Sequence, residues 1–572
     1  MTGLDTHILL RAFCDELVRC GITDACTSPG SRCAPLVLAL VRDGRLACHS
    51  HIDERCAGFF ALGLAKASRR PAVVTCTSGT AAANLAPAVH EAREARVPLV
   101  VLTADRPPEL RDVGAGQVID QLGLFGGAAK WFVELGTHTA TPERLRWIRA
   151  LACRAVWTAG SGRPGVVHIN VALREPLVPG APLPPDASGR PDGRPWVAAP
   201  PAGTAPSPEA LEAFAGLVEA RPRGVVVAGR SERDPALPAA IAGFAETAGY
   251  PVLADPLSGA RRGPHAVAHY DALLRVESFS AGHEPELVVR IGDLPTSKPL
   301  RAWLAGLQAP QVSIDAEDSW QDPEAVVGLR VAADPATTLA DTTAGVARGA
   351  DPAWVRSWRA ADARAAEVLE TELGSGLSEP WVAARLTGAL SEGTTLWVAS
   401  SMPVRDVESF AAVRDDPPRV LSNRGANGID GTISAAFGAA VHGPTTLLIG
   451  DVAFAHDLGG LLAARRLGLA LTIVLVDNDG GGIFHFLPIA GETDVFEDQV
   501  ATPHGLEAGT AAALFGCDHV LAEDRAGFDS ALAAARASAR TTIIEVRTDR
   551  ADNVALHRSL AAAVQRVLDA AG

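Results

Sequence analysis

Gly450-Asp451 closes one apolar run, Thr446–Ile449, and Asp477-Asn478-Asp479-Gly480-Gly481-Gly482 closes another, Leu471–Val476. A helical pattern over about 457–467 joins the two runs. A strand–helix–strand unit of this kind brings Asp451 and Asn478 to neighbouring strand ends, although 26 residues separate them. Both side chains offer hard oxygen donors, and the glycine run lets a backbone carbonyl turn inward as a third. Completed by phosphate oxygens and water, such a set suits an octahedral Mg²⁺. A helix cap followed by a glycine-rich turn describes the same residues. A further carboxylate, Glu54, sits in His51-Ile52-Asp53-Glu54-Arg55, between a short strand pattern and the apolar helix Ala57–Ala67. Strand-to-helix junctions of parallel sheets face ligands, and first-turn acids also simply stabilise helices.

The elements that must position these groups alternate along the whole chain. Ala72–Cys76 and Leu99–Thr103 are β-branched apolar runs with a small-residue helix pattern, Ala81–Ala95, between them. Val225–Ala228, Leu287–Ile291 and Thr395–Ala399 read as further buried strands. Short apolar runs separated by helical patterns mean parallel sheets with crossover helices. The expected fold is α/β, as three doubly wound parallel-sheet domains. Eleven of the 33 residues from Pro176 to Pro208 are proline, which marks an extended linker. A weaker break falls near Ala344–Pro352. The expected domains are therefore 1–180, 205–345 and 353–572. Gly160-Ser161-Gly162-Arg163-Pro164-Gly165 matches GxGxxG, but a helix pattern precedes it and a strand follows, so it reads as a plain turn.

Composition limits the function classes. Of 572 residues, 51 are Lys or Arg and 66 are Asp or Glu, giving a net charge of −15. That balance argues against a nucleic-acid or anionic-membrane partner. Anionic substrates would require cations clustered locally against this field. Nine cysteines without a CxxC pair fit a reducing compartment and buried packing roles. Cys33 and Cys56 adjoin candidate site residues. No basic segment followed by an apolar core opens the sequence, so a cytoplasmic protein without a membrane span is expected.

The Asp451–Asn478 arrangement resembles the thiamine diphosphate signature, usually GDG, about 25 residues, then NN. Val452 replaces its second glycine, and a single Asn478 stands between Asp477 and Asp479. Five strings make the resemblance narrower: Ser28-Pro29-Gly30-Ser31-Arg32, His51 to Arg55, Thr77-Ser78-Gly79-Thr80, Leu102 to Leu110, and Ser422 to Gly431. Together they resemble the 2-succinyl-5-enolpyruvyl-6-hydroxy-3-cyclohexene-1-carboxylate synthase family of menaquinone biosynthesis.

That resemblance implies thiamine diphosphate with Mg²⁺ or Mn²⁺, decarboxylation of 2-oxoglutarate, and 1,4-addition of the resulting fragment to isochorismate. Asp451, Asn478 and the Gly480 carbonyl match the metal ligands. Glu54 matches the carboxylate that activates the cofactor, and Ser78, Gly79, Thr80 and Ile429 match its other contacts. Two dicarboxylate substrates call for guanidinium clamps. Arg32, Arg106, Arg405 and Arg424, with Lys298, match such positions. Ser31, Ser401 and Gln117 match polar contacts to substrate or intermediate. Ile483, Phe484 and Leu487 match an apolar wall, though ordinary helix core explains them equally well. Active sites shared between subunits of a homodimer or homotetramer are also implied, and the lack of a Gly-rich phosphate loop in 205–345 leads to a middle domain expected to hold no cofactor. Another thiamine-dependent 2-oxoacid enzyme, similar to acetohydroxyacid synthase, would share Glu54, Asp451 and Asn478 without needing the arginines together. A thiamine-binding scaffold without turnover would not need Glu54.

Overall fold

The computed structural model describes residues 4–199, 203–345 and 351–570. It contains three six-stranded sheets, every strand pair of which is parallel. The first holds β1 (Asp24–Thr27), β2 (Ala47–Ser50), β3 (Ala72–Cys76), β4 (Leu99–Asp105), β5 (Ala129–Leu135) and β6 (Val166–Ala172), in the order 2-1-3-4-6-5. The second holds β7 (Gly224–Ala228), β8 (Val252–Ala254), β9 (Ala266–Val267), β10 (Leu287–Ile291), β11 (Gln311–Ile314) and β12 (Val327–Val331), in the order 12-11-10-7-8-9. The third holds β13 (Thr395–Val398), β14 (Arg419–Leu421), β15 (Thr445–Gly450), β16 (Thr472–Asp477), β17 (Asp518–Leu521) and β18 (Thr542–Arg547), in the order 14-13-15-16-18-17. Strands buried on both faces explain the unbroken apolar runs, such as Val73-Val74 and Ile473–Val476.

Each order reverses at a central point, and the first and third also invert their last two strands. The reversal lies between β1 and β3, between β7 and β10, and between β13 and β15. Loops leaving the strands on either side diverge, and the crevice they open is where doubly wound folds bind ligands. In the second sheet this crevice is closed. A Cβ on Gly229 would lie 1.6 Å from the Asp293 carbonyl oxygen, and Arg230 pairs with Asp293 across the two loops.

The contacts divide the chain into two compact units. The first comprises 1–201, 423–442 and 456–471; the second holds the remainder, including the second and third sheets. In the first unit, helix Glu54–Ser68 starts at Asp53, whose side chain accepts from the Arg55 amide, and stops at Arg69 in a left-handed conformation. Phe59, Phe60, Leu62 and Leu64 are all buried because the helix is covered on both sides. One cover is helix Thr432–Ala440, which approaches at backbone distance. A Cβ on Gly63 would lie 1.9 Å from the Ala435 carbonyl oxygen, and one on Gly438 would lie 2.2 Å from that of Phe60.

Two expected helices are broken. The Ala81–Ala95 pattern forms as Thr80–Ala83 and Ala86–Glu94, since Pro87 has no amide to continue the first piece. The helix expected over 457–467 is two pieces, a 3₁₀ turn Leu458–Leu461 and a helix Leu462–Leu467, and a separate short helix, Asp451–His456, precedes them. A Cβ on Gly460 would lie 2.7 Å from the Ser434 hydroxyl, so a close contact interrupts it. The GxGxxG string is the turn between helix Pro142–Gly160 and β6. The proline-rich linker lies along the first unit as far as residue 199: Trp196 donates its amide to Glu16, and the Trp157 indole donates to the Val197 carbonyl (3.0 Å).

Candidate active site

In the first unit, the crevice between β1 and β3 collects Ser31, Arg32, Ser78, Gly79, Thr80, Arg106 and Gln117. Ser31 and Arg32 follow β1, and Ser78-Gly79-Thr80 follow β3. Gly30 is required here, because a Cβ on it would lie 2.4 Å from that of Thr77. Arg106, at the end of β4, donates to the Ser78 hydroxyl and to the Gln117 carbonyl (3.1 Å). Ser78 also donates to that carbonyl (3.0 Å), and the Gln117 amide donates back to the Ser78 carbonyl (2.9 Å). Gln117 holds a left-handed φ of 59°, a conformation that costs free energy and is held by these bonds.

Arg32 donates to the Leu173 carbonyl (2.9 Å) and pairs with Glu175 at 3.2 Å, and its buried Nε has no partner. Burial, then the positive charge of Arg32, lowers the proton affinity of Arg106. Guanidiniums that feel each other's charge in this way are a donor set of the kind that binds carboxylates, and here Glu175 already occupies one of them. Asp105 accepts from the Arg106 amide (2.7 Å) and pairs with Arg111 (3.0 Å).

Glu54 is the first residue of its helix and is half-buried. Burial raises its carboxyl above the ordinary value, the Asp53 charge adds to this, and a backbone amide opposes both. Segment 423–431 closes this half-site. Gly425 and Ala426 amides donate to Glu91 (2.8 and 2.7 Å), the Asn423 side chain donates to the Asp430 carbonyl (3.1 Å), and Thr432 donates to the Ile429 carbonyl (2.8 Å). This fold presents Arg424 and Ile429, each only partly buried.

Cys33 and Cys56 are packing residues. The Cys33 thiol donates to the Ser28 and Gly30 carbonyls (3.3 and 3.2 Å), and that of Cys56 donates to Asp457 (3.8 Å). Burial pushes them up to about 11 and about 12, so both stay protonated and unreactive at neutral pH.

In the second unit, β15 and β16 are adjacent, and Asp451 and Asn478 stand just past their ends. Asp451 accepts from the Gly480 amide (2.7 Å), the Asn478 amide (3.3 Å) and the Val452 amide (2.7 Å). The Asn478 amide group donates to Glu379 (2.9 Å), which leaves its buried Oδ1 without a partner. An orphaned buried oxygen beside a buried carboxylate fits a hard divalent cation. Asp477 and His504 bring further atoms able to ligate within 4.8 Å of Asp451, and neither was among the ligands expected from sequence.

Ser401, after β13, has a left-handed φ of 75°, and its carbonyl accepts from Arg405 (2.5 Å). Burial, then the charge of Arg301, lowers the proton affinity of Arg405. Lys298 opens the helix that carries Arg301 and is exposed in a cleft it shares with Arg290. Ile483, Phe484 and Leu487 lie in and beside a short 3₁₀ segment. Phe484 and Leu487 are each 37% exposed, which excludes ordinary helix core for these two.

Residues 9–124 match the thiamine pyrophosphate enzyme N-terminal TPP binding domain, 193–398 the middle domain of thiamine pyrophosphate enzymes, and 405–546 the C-terminal TPP binding domain. Relatives named 2-succinyl-5-enolpyruvyl-6-hydroxy-3-cyclohexene-1-carboxylate synthase include that of Chloroflexus aurantiacus, 44% identical over 98% of this chain and 97% of that one. The synthase of Geobacillus kaustophilus is 42% identical over 96% of both chains, and that of Bacillus velezensis 41% over 99% of both. The chain belongs to this synthase family.

Set against the family's motifs, several supporting residues carry no sequence signal of their own. Gln121 is buried, accepts from the Gly79 amide (2.8 Å) and donates to Asn170 (2.9 Å), fixing the turn after β3. Glu379, a helix N-terminal acid, reaches Asn478 across 99 positions and is pushed up to about 7, first by burial and then by Asp406. Asp457 is fully buried and accepts from the Ser434 amide (2.7 Å) and hydroxyl (3.1 Å), tying down the start of helix Thr432–Ala440.

Proposed function

We propose that this chain catalyses the thiamine diphosphate-dependent formation of 2-succinyl-5-enolpyruvyl-6-hydroxy-3-cyclohexene-1-carboxylate in menaquinone biosynthesis. 2-Oxoglutarate loses CO₂, and its remaining four-carbon fragment adds in a 1,4 sense to isochorismate. The observation that carries the reading is the Arg32–Arg106 pair at the first sheet's crevice, in a chain 44% identical to such a synthase over nearly its whole length.

When bound, thiamine diphosphate supplies a centre that stabilises the carbanion left by decarboxylation. The chain's residues do the rest. Asp451, the Asn478 Oδ1 and the Gly480 carbonyl would hold Mg²⁺ or Mn²⁺, which would neutralise the diphosphate's charge. Glu54 holds a proton at its carboxylate against the cofactor's pyrimidine, and its raised proton affinity suits that task. Ser78, Gly79 and Thr80 would line the pocket for the cofactor's pyrimidine, and Ile429 would supply its apolar support. Arg32, Arg106, Arg405, Arg424 and Lys298 orient substrate carboxylates, aided by Ser31, Gln117 and Ser401. Ile483, Phe484 and Leu487 keep water from the reacting centre. We place the enzyme in the cytoplasm as a homodimer or homotetramer whose sites combine residues of two subunits, with small-molecule partners and no nucleic acid. Among the described residues no helix is long and apolar enough to cross a membrane.

The test is isochorismate consumption with 2-oxoglutarate, thiamine diphosphate and Mg²⁺, omitting each in turn. The reading requires loss of isochorismate only when all are present. Consumption of pyruvate with 2-oxoglutarate untouched would overturn it.

A further inference from the structure

The first unit has a second concave site. Helices Asp5–Arg19 and Ala34–Asp43, with Pro179 and Leu183 of the linker, enclose a cleft of about 290 Å³. It adjoins the second half of helix Ala34–Asp43. Arg42 lies eight positions into that helix, about 12 Å along its axis from the end that follows the crevice at β1. The linker forms one wall, so the cleft exists only because that segment packs against the helices.

Its charges are unevenly matched. Asp15 pairs with Arg19 (2.8 Å), Arg45 (2.7 Å) and Arg149 (2.6 Å). Asp43 pairs with Arg45 (2.6 Å), and Asp186 with Arg149 (2.7 Å). Every carboxylate lining the cleft is therefore held by an arginine. Arg11 and Arg42 line it with no carboxylate partner among the described residues, and the Nε of Arg11 is buried without a hydrogen bond. His7 is only 4% exposed, lines the cleft, and its Nε2 has no partner either. A buried ring nitrogen and a buried guanidinium nitrogen left unsatisfied in one cavity form an incomplete hydrogen-bond set. Leu38, Pro179 and Leu183 make the rest of the wall apolar.

We infer that this cleft binds a compact organic oxyanion, a carboxylate or phosphate on a short apolar body. The head group takes the open donors of His7, Arg11 and Arg42, and the body lies on Leu38, Pro179 and Leu183. The site is separate from the reaction crevice and does not depend on the proposed activity.

Calorimetry on the full-length protein tests it, with hexanoate, hexyl phosphate and inorganic phosphate as probes. Either hexyl compound should bind with a dissociation constant of millimolar or below, and inorganic phosphate more weakly. Comparing the two hexyl compounds identifies the head group. Saturating thiamine diphosphate, Mg²⁺ and 2-oxoglutarate should leave the affinity unchanged. The double substitution Arg11→Gln/Arg42→Gln should weaken binding at least about tenfold with wild-type kcat/KM. Leu183→Trp, which fills the cleft without changing a charge, should abolish binding. No heat up to about 10 mM, equal affinity in the double variant, or displacement by the reaction's own ligands would each overturn the inference.

Discussion

Gly63→Ala is a test of how the first half-site is held. The added Cβ would lie 1.9 Å from the Ala435 carbonyl oxygen. A carbon–oxygen contact settles near 3.3 Å, so the two helices must separate by about 1.4 Å. The obstructing atom is backbone and cannot rotate aside, which places the cost at the upper end of overpacking, about 3 kcal/mol. Glu54 begins one helix, and Ile429 is bonded through its carbonyl to the first residue of the other. A shift of this size at reacting groups lowers kcat/KM by about 100-fold. Thermal unfolding followed by fluorescence, together with steady-state kinetics, measures both effects. The control is Gly216→Ala on the exposed side of helix Pro208–Glu219, where nothing lies within 4 Å of the new methyl. That change should stabilise by about 0.5–1 kcal/mol, because alanine favours helix over glycine. A Gly63→Ala protein that melts and turns over like wild type would refute the backbone-contact argument.

Glu54→Gln should keep thiamine diphosphate affinity within a few-fold and lower turnover at least about 100-fold, since an amide exchanges no proton; calorimetry beside a rate assay separates the two, and a near-normal rate rejects the assignment. Asp451→Ala should lose Mg²⁺-dependent cofactor binding, and retention in a titration with and without EDTA would count against the metal site. Arg106→Ala should cost about 2–3 kcal/mol in kcat/KM for the dicarboxylates, the worth of a charge-assisted pair; an unchanged specificity constant for both substrates would remove it from the clamp. Asp457 is raised from 3.8 to about 6 by burial, so its carboxyl binds a proton more tightly folded than unfolded. Its contribution is therefore full below pH 4 and is lost as pH rises through 6, by about 3 kcal/mol. Asp457→Asn should flatten the wild-type difference between melts at pH 5 and pH 7.5, and the same difference in both proteins would contradict this.

The residues legible in the sequence were those whose type and strand-end position coincide. Asp451, Asn478, Ser78 and Arg106 all follow apolar runs, and parallel sheets bring such ends to one edge. Glu379 was not legible, because one acid among 66 at an ordinary helix start carries no mark of what it faces. Gln121 and His504 act through tertiary distance alone. Phe484 and Leu487 could not be separated from core by periodicity, and their exposure decided it. Pro87 did announce the break at Ala83–Ala86, but the small-residue pattern around it reads as continuous helix. The prolines of the linker signalled extension without disclosing that Trp196 and Val197 are bonded to the first unit.

The first unit is drawn from three stretches of sequence. No single proteolytic or recombinant fragment can therefore contain it without also carrying residues 202–422 of the second unit. A piece ending at the linker would carry helix Glu54–Ser68 with its Gly63 groove uncovered, since the covering helix is encoded more than 350 residues later. During synthesis that groove waits for Thr432–Ala440 to leave the ribosome, so the half-site bearing Glu54 matures only after most of the polypeptide has been made. Insertions anywhere between 202 and 422 thus act on the N-terminal site through the kinetics of its completion, even where they touch none of its residues.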